Sequence, residues 1–469
     1  MKSDTPQRKP GAEALLDLVE PAWVAALRRA IDPCPVESDP DVLASYSRDQ
    51  APLAPAGSAS ALVRARSTMD VISTLRFAHE RRIPVVTRGA GTGLAGGANA
   101  TDGCILLSLL NLNRILSIDP ATRTAVVEPG VLNGALAAAA AERGLYYAPD
   151  PASRDISSIG GNIATNAGGA CCLKYGVTGD HVAALKVVLA DGTVLRTGGL
   201  SSKNVAGLDV TRLLVGSEGT LAVTVEATMR LLRAPRPAST LIAFFATLGD
   251  AALAIGAMDA NVELSLLEVM DRVTLAAVEE LVHMELDTTA AALVIAQSDA
   301  TDAPSAIAEC ERLCRAHGAR EVTTTDDAEE GRMLLAARRM ALPALERLGI
   351  TLLDDVAVPQ PVIPEMIQRI IDVSERSGLV IGTFGHAGDG NLHPTIVFQP
   401  SQRDAALKAF DEIVRAAIEL GGTISGEHGV GSLKSDYLSE MIGDSERALL
   451  RRIKAAFDPH GILNPGKAI

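Results

Sequence analysis

Residues 88–98 read RGAGTGLAGGA, and residues 149–179 read PDPASRDISSIGGNIATNAGGACCLKYGVTG. The first stretch has five glycines in eleven positions, so its backbone amides can close around an anion with no Cβ in the way. That composition suits a pyrophosphate cradle, although a glycine-rich surface turn would explain it equally well. No helix opens from these glycines, which makes a Rossmann dinucleotide fold the weaker reading. The second stretch gathers small residues, hydroxyls and amides beyond what a structural loop needs, as the wall of a narrow ligand channel would.

Around these loops the pattern is mixed α and β. Apolar spacing predicts a helix over 15–31, the proline-rich stretch 51–57 reads as a linker, and the main body begins near residue 58. Thr68 is the expected cap of a helix over 69–81, and an apolar strand at 83–87 runs into the first glycine-rich loop. Further strands are expected at 105–109, 125–128, 184–189, 194–196 and 221–230. A Pro/Arg-rich break at 234–237 divides the chain, and strand-like runs at 240–245 and 292–296 then alternate with helix-like runs.

The chain has 469 residues, 47% of them hydrophobic and 21% charged, enough to fill two or three cores. With 43 basic and 57 acidic side chains the formal charge is −14, which repels a polyanion and argues against nucleic acid as a partner. An anionic substrate would therefore need a specific arginine inside its site. The six cysteines form no CxxC pair and no disulfide framework, so a reducing cytoplasm is the expected location. Residues 1–10 are polar and no apolar run is long enough for a bilayer, so neither a signal peptide nor a membrane span is expected.

A second constellation lies near the C-terminus. LVIGTFGHAGDGNLHPTIVF, residues 379–398, reads as a hairpin around the turn 387–391, with His386 and His393 on its flanks. If its two runs pair, both imidazoles approach one point. GTISGEHGVGSLK, residues 422–434, adds Glu427 and His428 on a glycine-flanked loop. Two imidazoles and one carboxylate make an open site for zinc, manganese or iron, with positions left for substrate oxygens. Each histidine alone could be a core or surface residue, but three of the eight fall in two glycine-rich loops. Cys171 and Cys172 admit either a redox role or simple packing as small buried residues.

The two opening stretches, together with LLVGSEGTLAVTVEATMRLL at 213–232, resemble the FAD-binding domain of the vanillyl-alcohol oxidase (PCMH-type) superfamily. Within it the pattern is similar to the group of the glycolate oxidase catalytic subunit, D-lactate dehydrogenase and D-2-hydroxyglutarate dehydrogenase, from about residue 58 to the C-terminus. The resemblance implies an α+β protein: a two-part PCMH-type FAD-binding domain, a ferredoxin-like α+β substrate (cap) domain with the metal site, and a C-terminal segment returning to the FAD domain. The expected divisions are an N-terminal helical segment 1–57, then 58–235, 236–456 and 457–469.

The same resemblance implies site residues. Arg88, Gly89, Gly91, Thr92, Gly93 and Leu94 would surround the FAD pyrophosphate, and Pro151, Ser153, Gly161, Asn162 and Thr165 would line the cofactor. Glu218 and Gly219 would lie at the adenine end or its neighbouring loop, and Asn464 near the flavin. No histidine occurs in 88–98, so the FAD is expected to be non-covalent. His386, His393 and Glu427 would bind the divalent metal, with His428 as base. The implied reaction takes a D-2-hydroxy acid to its 2-oxo acid, His428 accepting the hydroxyl proton while hydride leaves C2 for the flavin.

In LAARRMALPALERLGITLLDDVAVP, residues 335–359, Arg338 matches the arginine that grips the substrate carboxylate, leaving Arg339 to solvent. Leu342 and Leu353 give a second carboxylate no partner, which favours glycolate or D-lactate over D-2-hydroxyglutarate. No cluster motif is present, so electrons are expected to leave to an acceptor protein or quinone, such as an iron–sulfur subunit or electron-transfer flavoprotein; a homodimer is allowed. Two other classes stay open here: a metal-dependent hydrolase built on His386, His393 and Glu427 with a nucleotide-binding domain, and a non-catalytic oxidase subunit. The hydrolase leaves residues 149–179 without a role.

Overall fold

The computed structural model describes residues 20–201 and 203–469. The polar start at 1–10 and the first residues of the helix expected over 15–31 lie outside them; within them that helix runs Ala22–Ala30. No described helix is long and apolar enough to cross a membrane.

The first half is built on two sheets. Val36–Glu37, Ala61–Arg64, Ile105–Ser108 and Val85–Arg88 lie in that order, with the last three parallel. Ile115–Asp119, Thr124–Val127, Val223–Arg230, Val182–Val188 and Val194–Gly198 form an antiparallel five-stranded sheet. Val85 also bridges Leu463 in parallel, and Ile462 and Leu463 are buried in the same core as Leu75 and Ile105, so the C-terminus closes on the first sheet.

Two local expectations change. Ser67 caps the helix Thr68–Arg81: its extended backbone leaves the hydroxyl to accept from Asp70 N at 3.2 Å, while Thr68 is already helical. Residues 51–57 are no linker. Ala51 and Ala54 are buried, Gln50 N donates to Gly93 O at 2.9 Å and Gly57 N to Ala100 O at 2.7 Å. Proline-rich chain forms no regular element, but here Asn99 and Ala100, just after the glycine-rich loop, tie it down through Pro55 O and Gly57 N. With Val24, Leu27 and Ile31 in the first core, residues 20–57 are part of that layer.

The second half is one eight-stranded antiparallel sheet. Its first four strands, Ser239–Phe245, Leu266–Asp271, Ala292–Ser298 and Ala319–Thr325, lie in the spatial order fourth, first, third, second, a ferredoxin-like arrangement with an added helix, Arg272–Val282, between the second and third. Val380–His386, Asn391–Phe398 and Ile350–Leu353 extend the sheet beyond Leu266–Asp271, and Val356–Ala357 pairs with the Asn391–Phe398 strand. Both faces are covered, which explains why STLIAFF shows no polar alternation. Leu241, Ala243 and Phe245 pack on one side, Ile242 and Phe244 on the other with Leu275, Ala341 and Leu345.

Candidate functional site

A cavity of about 950 Å³ lies where the two halves meet. Gly89, Gly91, Thr92, Gly93, Leu94, Pro151, Ser153, Gly161, Asn162, Thr165, Glu218 and Gly219 border it from the first half, and Arg338, His386, His393, Glu427 and His428 from the second. The halves touch closely: a Cβ on Gly168 would stand 2.6 Å from Glu427 Oε2.

Two of the residues expected at the cofactor lie behind this wall. The Arg88 guanidinium packs under the loop, 5.7 Å from the Tyr46 ring, where a Cβ on Gly91 (φ +74°) would strike it. Asn464 Nδ2 donates to Gly97 O at 2.9 Å and Glu218 O at 2.7 Å, so it ties the loops together. Glu218 does border the cavity, but its oxygens accept from Val430 N at 2.7 Å and Gly431 N at 2.8 Å. Burial pushes this carboxyl up to about 6 against those two donors. The wall suits FAD on its own chemistry: it is lined by small residues, and Asn162 Nδ2, buried on that wall, has no partner among the described residues.

Strand register builds the other side. Val380–His386 and Asn391–Phe398 pair with Phe384 opposite His393 and His386 opposite Asn391, so period-two alternation puts both histidines on one face. Their rings lie 5.1 Å apart at 85°. Glu427 Oε1 is 3.2 Å from His386 Nε2 and 3.3 Å from His393 Nε2, and the three ligand atoms all lie within 4.8 Å of one another. Two imidazole nitrogens and a carboxylate on an open cavity fit a catalytic divalent ion. His428 stacks on His393 at 5.1 Å and 18°, and its buried Nδ1 has no hydrogen-bond partner among the described residues.

Asp355, His393 and His428 form a second cluster of close ligand atoms. The Asp355 carboxylate is already engaged, however: it accepts from Ser425 Oγ at 2.9 Å, Glu427 N at 2.9 Å, His428 N at 2.8 Å and Asn391 Nδ2 at 2.7 Å. It is a scaffold for the loop. Beside it, Lys434 Nζ is buried against Asp354 at 2.6 Å and donates to Asp355 O and Ile424 O.

Electrostatics separates the two imidazoles beside Glu427. Burial works against charge at His386, yet Glu268 and Glu427 outweigh it and raise its pKa well above the ordinary value. Burial and the neighbouring imidazoles hold His393 down to about 4. Glu427 stays well below the carboxylate range despite burial, because both imidazoles bond to it.

Arg338 faces inward: its Nε lies 2.7 Å from Glu268 Oε2, although not aligned as a hydrogen bond, and its guanidinium sits 4.7 Å from the Phe384 ring centre. Arg339 is exposed, as expected, but it too borders the cavity. The adjacent Cys171 donates its backbone N–H to Asp150 Oδ1 at 3.0 Å and its thiol to Oδ2 at 3.4 Å. Burial pushes both the Cys171 and Cys172 thiols up, so neither is a ready thiolate, which favours packing over redox chemistry.

The sequence reading missed Glu268, Asp355, Lys434 and Asn391. Glu268 and Asp355 carry one signal, an acidic residue within an otherwise apolar strand-like run, whereas Asn391 and Lys434 stand in mixed polar surroundings that mark neither. Such residues are rarely buried without a partner.

Residues 59–198 match the family described as FAD binding domain, and residues 234–468 match FAD linked oxidases, C-terminal domain. The glycolate oxidase subunit GlcD of Bacillus subtilis (strain 168) is 42% identical over 414 residues, 87% of this chain and 88% of that protein. The D-lactate dehydrogenase of Archaeoglobus fulgidus is 34% identical over 455 residues, 96% of this chain and 99% of that one. Among solved structures, p-cresol methylhydroxylase with substrate bound shares the fold at a TM-score of 0.80 and 19% identity, covering 95% of this chain and 96% of that one.

Proposed function

The chain belongs to the FAD-linked oxidases, and from that premise we propose that it oxidises a small D-2-hydroxy acid, glycolate and D-lactate being the first candidates, to the 2-oxo acid. The observation that carries this reading is the single cavity bordered by the glycine-rich loops on one side and by His386, His393, Glu427, His428 and Arg338 on the other.

Bound FAD supplies a hydride acceptor, and a bound zinc, manganese or iron ion supplies a Lewis acid that makes the substrate hydroxyl more acidic. His386, His393 and Glu427 would hold the ion, and the residues from Gly89 to Leu94 and from Pro151 to Thr165 would hold the cofactor without a covalent bond. Arg338 binds the carboxylate, with Glu268 behind it to fix its guanidinium. His428 takes the hydroxyl proton on a ring nitrogen; as the C2–H bond gives up hydride and the O–H bond its proton, the carbonyl forms and the charges balance. Asp355 keeps the base in place by holding the backbone N–H of His428 and Glu427.

The names of the relatives carry glycolate and D-lactate, both small monocarboxylates, as Leu342 and Leu353 on the cavity wall favour. Arg339 on the same wall favours a second reading, D-2-hydroxyglutarate, whose distal carboxylate it could meet. Its exposure weakens that grip, because a solvated ion pair gains little. The GlcD relative is named a subunit, which supports electron transfer to a separate acceptor such as an iron–sulfur subunit, electron-transfer flavoprotein or quinone. All six cysteines are free, as a reducing compartment such as the cytoplasm would keep them.

Stopped-flow mixing of the yellow holoprotein with D- and L-2-hydroxy acids tests the proposal. Bleaching of the flavin band by a D-acid is expected; a flavin that no 2-hydroxy acid reduces would end this reading.

A further inference from the structure

The loop that carries Glu427 and His428 is held from both halves of the protein. In the second half, the Asp355 carboxylate accepts from Glu427 N and His428 N, and Ser425 Oγ accepts from Gly429 N at 2.9 Å. From the first half, Glu218 takes the next two amides, Val430 N on Oε1 and Gly431 N on Oε2. Gly429 is the joint between the two grips. Its φ is +89°, and a Cβ there would stand 3.0 Å from Glu218 Oε1.

Glu218 stands in a turn that belongs to the cofactor wall. Gly216 N donates to Ile163 O at 2.9 Å and Glu218 N to Ala164 O at 2.8 Å, both in the helix Ile159–Thr165, whose Gly161, Asn162 and Thr165 border the cavity. The turn is left-handed at three of its positions, with φ +76° at Gly216, +50° at Glu218 and +70° at Gly219. A glutamate is strained there where a glycine would not be. Its carboxylate is also buried, with backbone N–H groups as donors, and burying an anion costs stability. Two features that both work against folding, at one residue on a cavity wall, point to a task for that carboxylate.

We infer that Glu218 is a positioning residue: it sets the His428 loop in register with the cofactor wall, so that base and hydride acceptor meet the same substrate molecule. The inference rests on the proposed oxidation of 2-hydroxy acids and gives the base its second anchor. Without Glu218, Asp355 still holds Glu427 and His428 to the second half, and Arg338 still faces the substrate carboxylate from that half. Ser432 N and Leu433 N also keep their bonds to Ala95 O, at 3.0 and 3.1 Å, so the loop stays near the wall. What is lost is its exact placement while the O–H and C2–H bonds break. A fault confined to that moment lowers kcat and leaves substrate binding intact.

The test is stopped-flow flavin reduction of the holoprotein by the D-acid that reduces the parent fastest, with the variants Glu218→Gln and Glu218→Gly. Glu218→Gln keeps the size but sets an NH₂ group against one of the two amides; Glu218→Gly relieves the left-handed backbone and removes the buried charge. Both should keep FAD. The limiting rate of reduction should fall by about 100-fold, the loss expected when reacting groups are misplaced by about 1 Å. The half-saturating acid concentration should change by less than about threefold. Amide hydrogen exchange over 427–433 should rise in both variants, in apoprotein and holoprotein alike, with exchange over 159–165 unchanged. A merely structural role would raise exchange in both stretches and weaken acid binding together with the rate. Limiting rates equal to the parent's overturn the positioning role while the oxidation stands, and loss of FAD from both variants assigns Glu218 to the cofactor instead. A parent flavin that no 2-hydroxy acid reduces shows that the oxidation itself is wrong.

Discussion

Glu268 and His386 are cross-strand partners, and the buried Glu268 carboxylate accepts from His386 Nδ1 at 2.5 Å. Glu268 is held in its charged form, with burial outweighed by His386 and Arg338, so it fixes the ring through Nδ1 and leaves Nε2 as the nitrogen that faces Glu427 and would meet a bound ion. The other oxygen of Glu268 lies 2.7 Å from Arg338 Nε. One carboxylate therefore sets both ends of the site. Glu268→Gln keeps the shape and removes the charge. It should leave FAD bound, weaken divalent-ion affinity by about 10–100-fold and raise the substrate KM. Metal analysis after dialysis against a competing chelator reads the first effect; unchanged metal content would show that Glu268 does not orient His386.

His428→Ala should keep the protein yellow while slowing flavin reduction by about 10²–10⁴-fold, the usual loss with a general base. Stopped-flow absorbance separates the step from cofactor loss. Reduction at the parent rate would place the base elsewhere.

The two neighbouring arginines should behave differently. Arg338 is inward and paired with Glu268, so Arg338→Ala should cost about 30-fold or more in kcat/KM, the lower end of losing one partner of a buried charge pair. Exposed Arg339→Ala should change kcat/KM for D-lactate by less than about threefold. Equal effects in steady-state assays would contradict the assignment of Arg338 to the carboxylate.

Chelator treatment should lower turnover without bleaching the protein, and added divalent ion should restore it. Acid precipitation should release the yellow colour to the supernatant, because no histidine lies in the loop at 88–98. Full turnover after exhaustive metal removal, or a yellow pellet, would contradict these two cofactor assignments separately.

Asp271 caps the helix Arg272–Val282 and also accepts from Thr383 N at 2.9 Å. Burial raises its carboxyl from 3.8 to about 6 despite these donors. A raised acid is protonated more readily in the folded chain, so its stabilising share is full below pH 3.8 and is lost as pH rises through about 6. Asp271→Asn cannot titrate and remains a good cap. The melting temperature of the variant relative to the parent should therefore climb between pH 4 and 7, toward an order-of-magnitude limit of about 3 kcal/mol. A difference independent of pH would rule out a raised Asp271.

Much of this protein is written locally. The glycines of 88–98, the small residues of 149–179 and the hairpin around His386 and His393 are short-range features, where backbone freedom and period-two alternation act within a few residues. The family resemblance read from those motifs agrees with the matched domains, and the ferredoxin-like strand order with the implied cap. Residues 51–57 were misread because proline content describes what a segment cannot form, not what it packs against.

Amino-acid order alone thus named the candidate residues and roughly which loops hold them. Only the folded chain decided which buried charges serve them: Glu268 reaches His386 across 118 positions, and Glu218 reaches Gly431 across 213. The physical reason is that a buried carboxylate must find its donors wherever strand order and domain closure bring them, and no local pattern encodes a partner that distant.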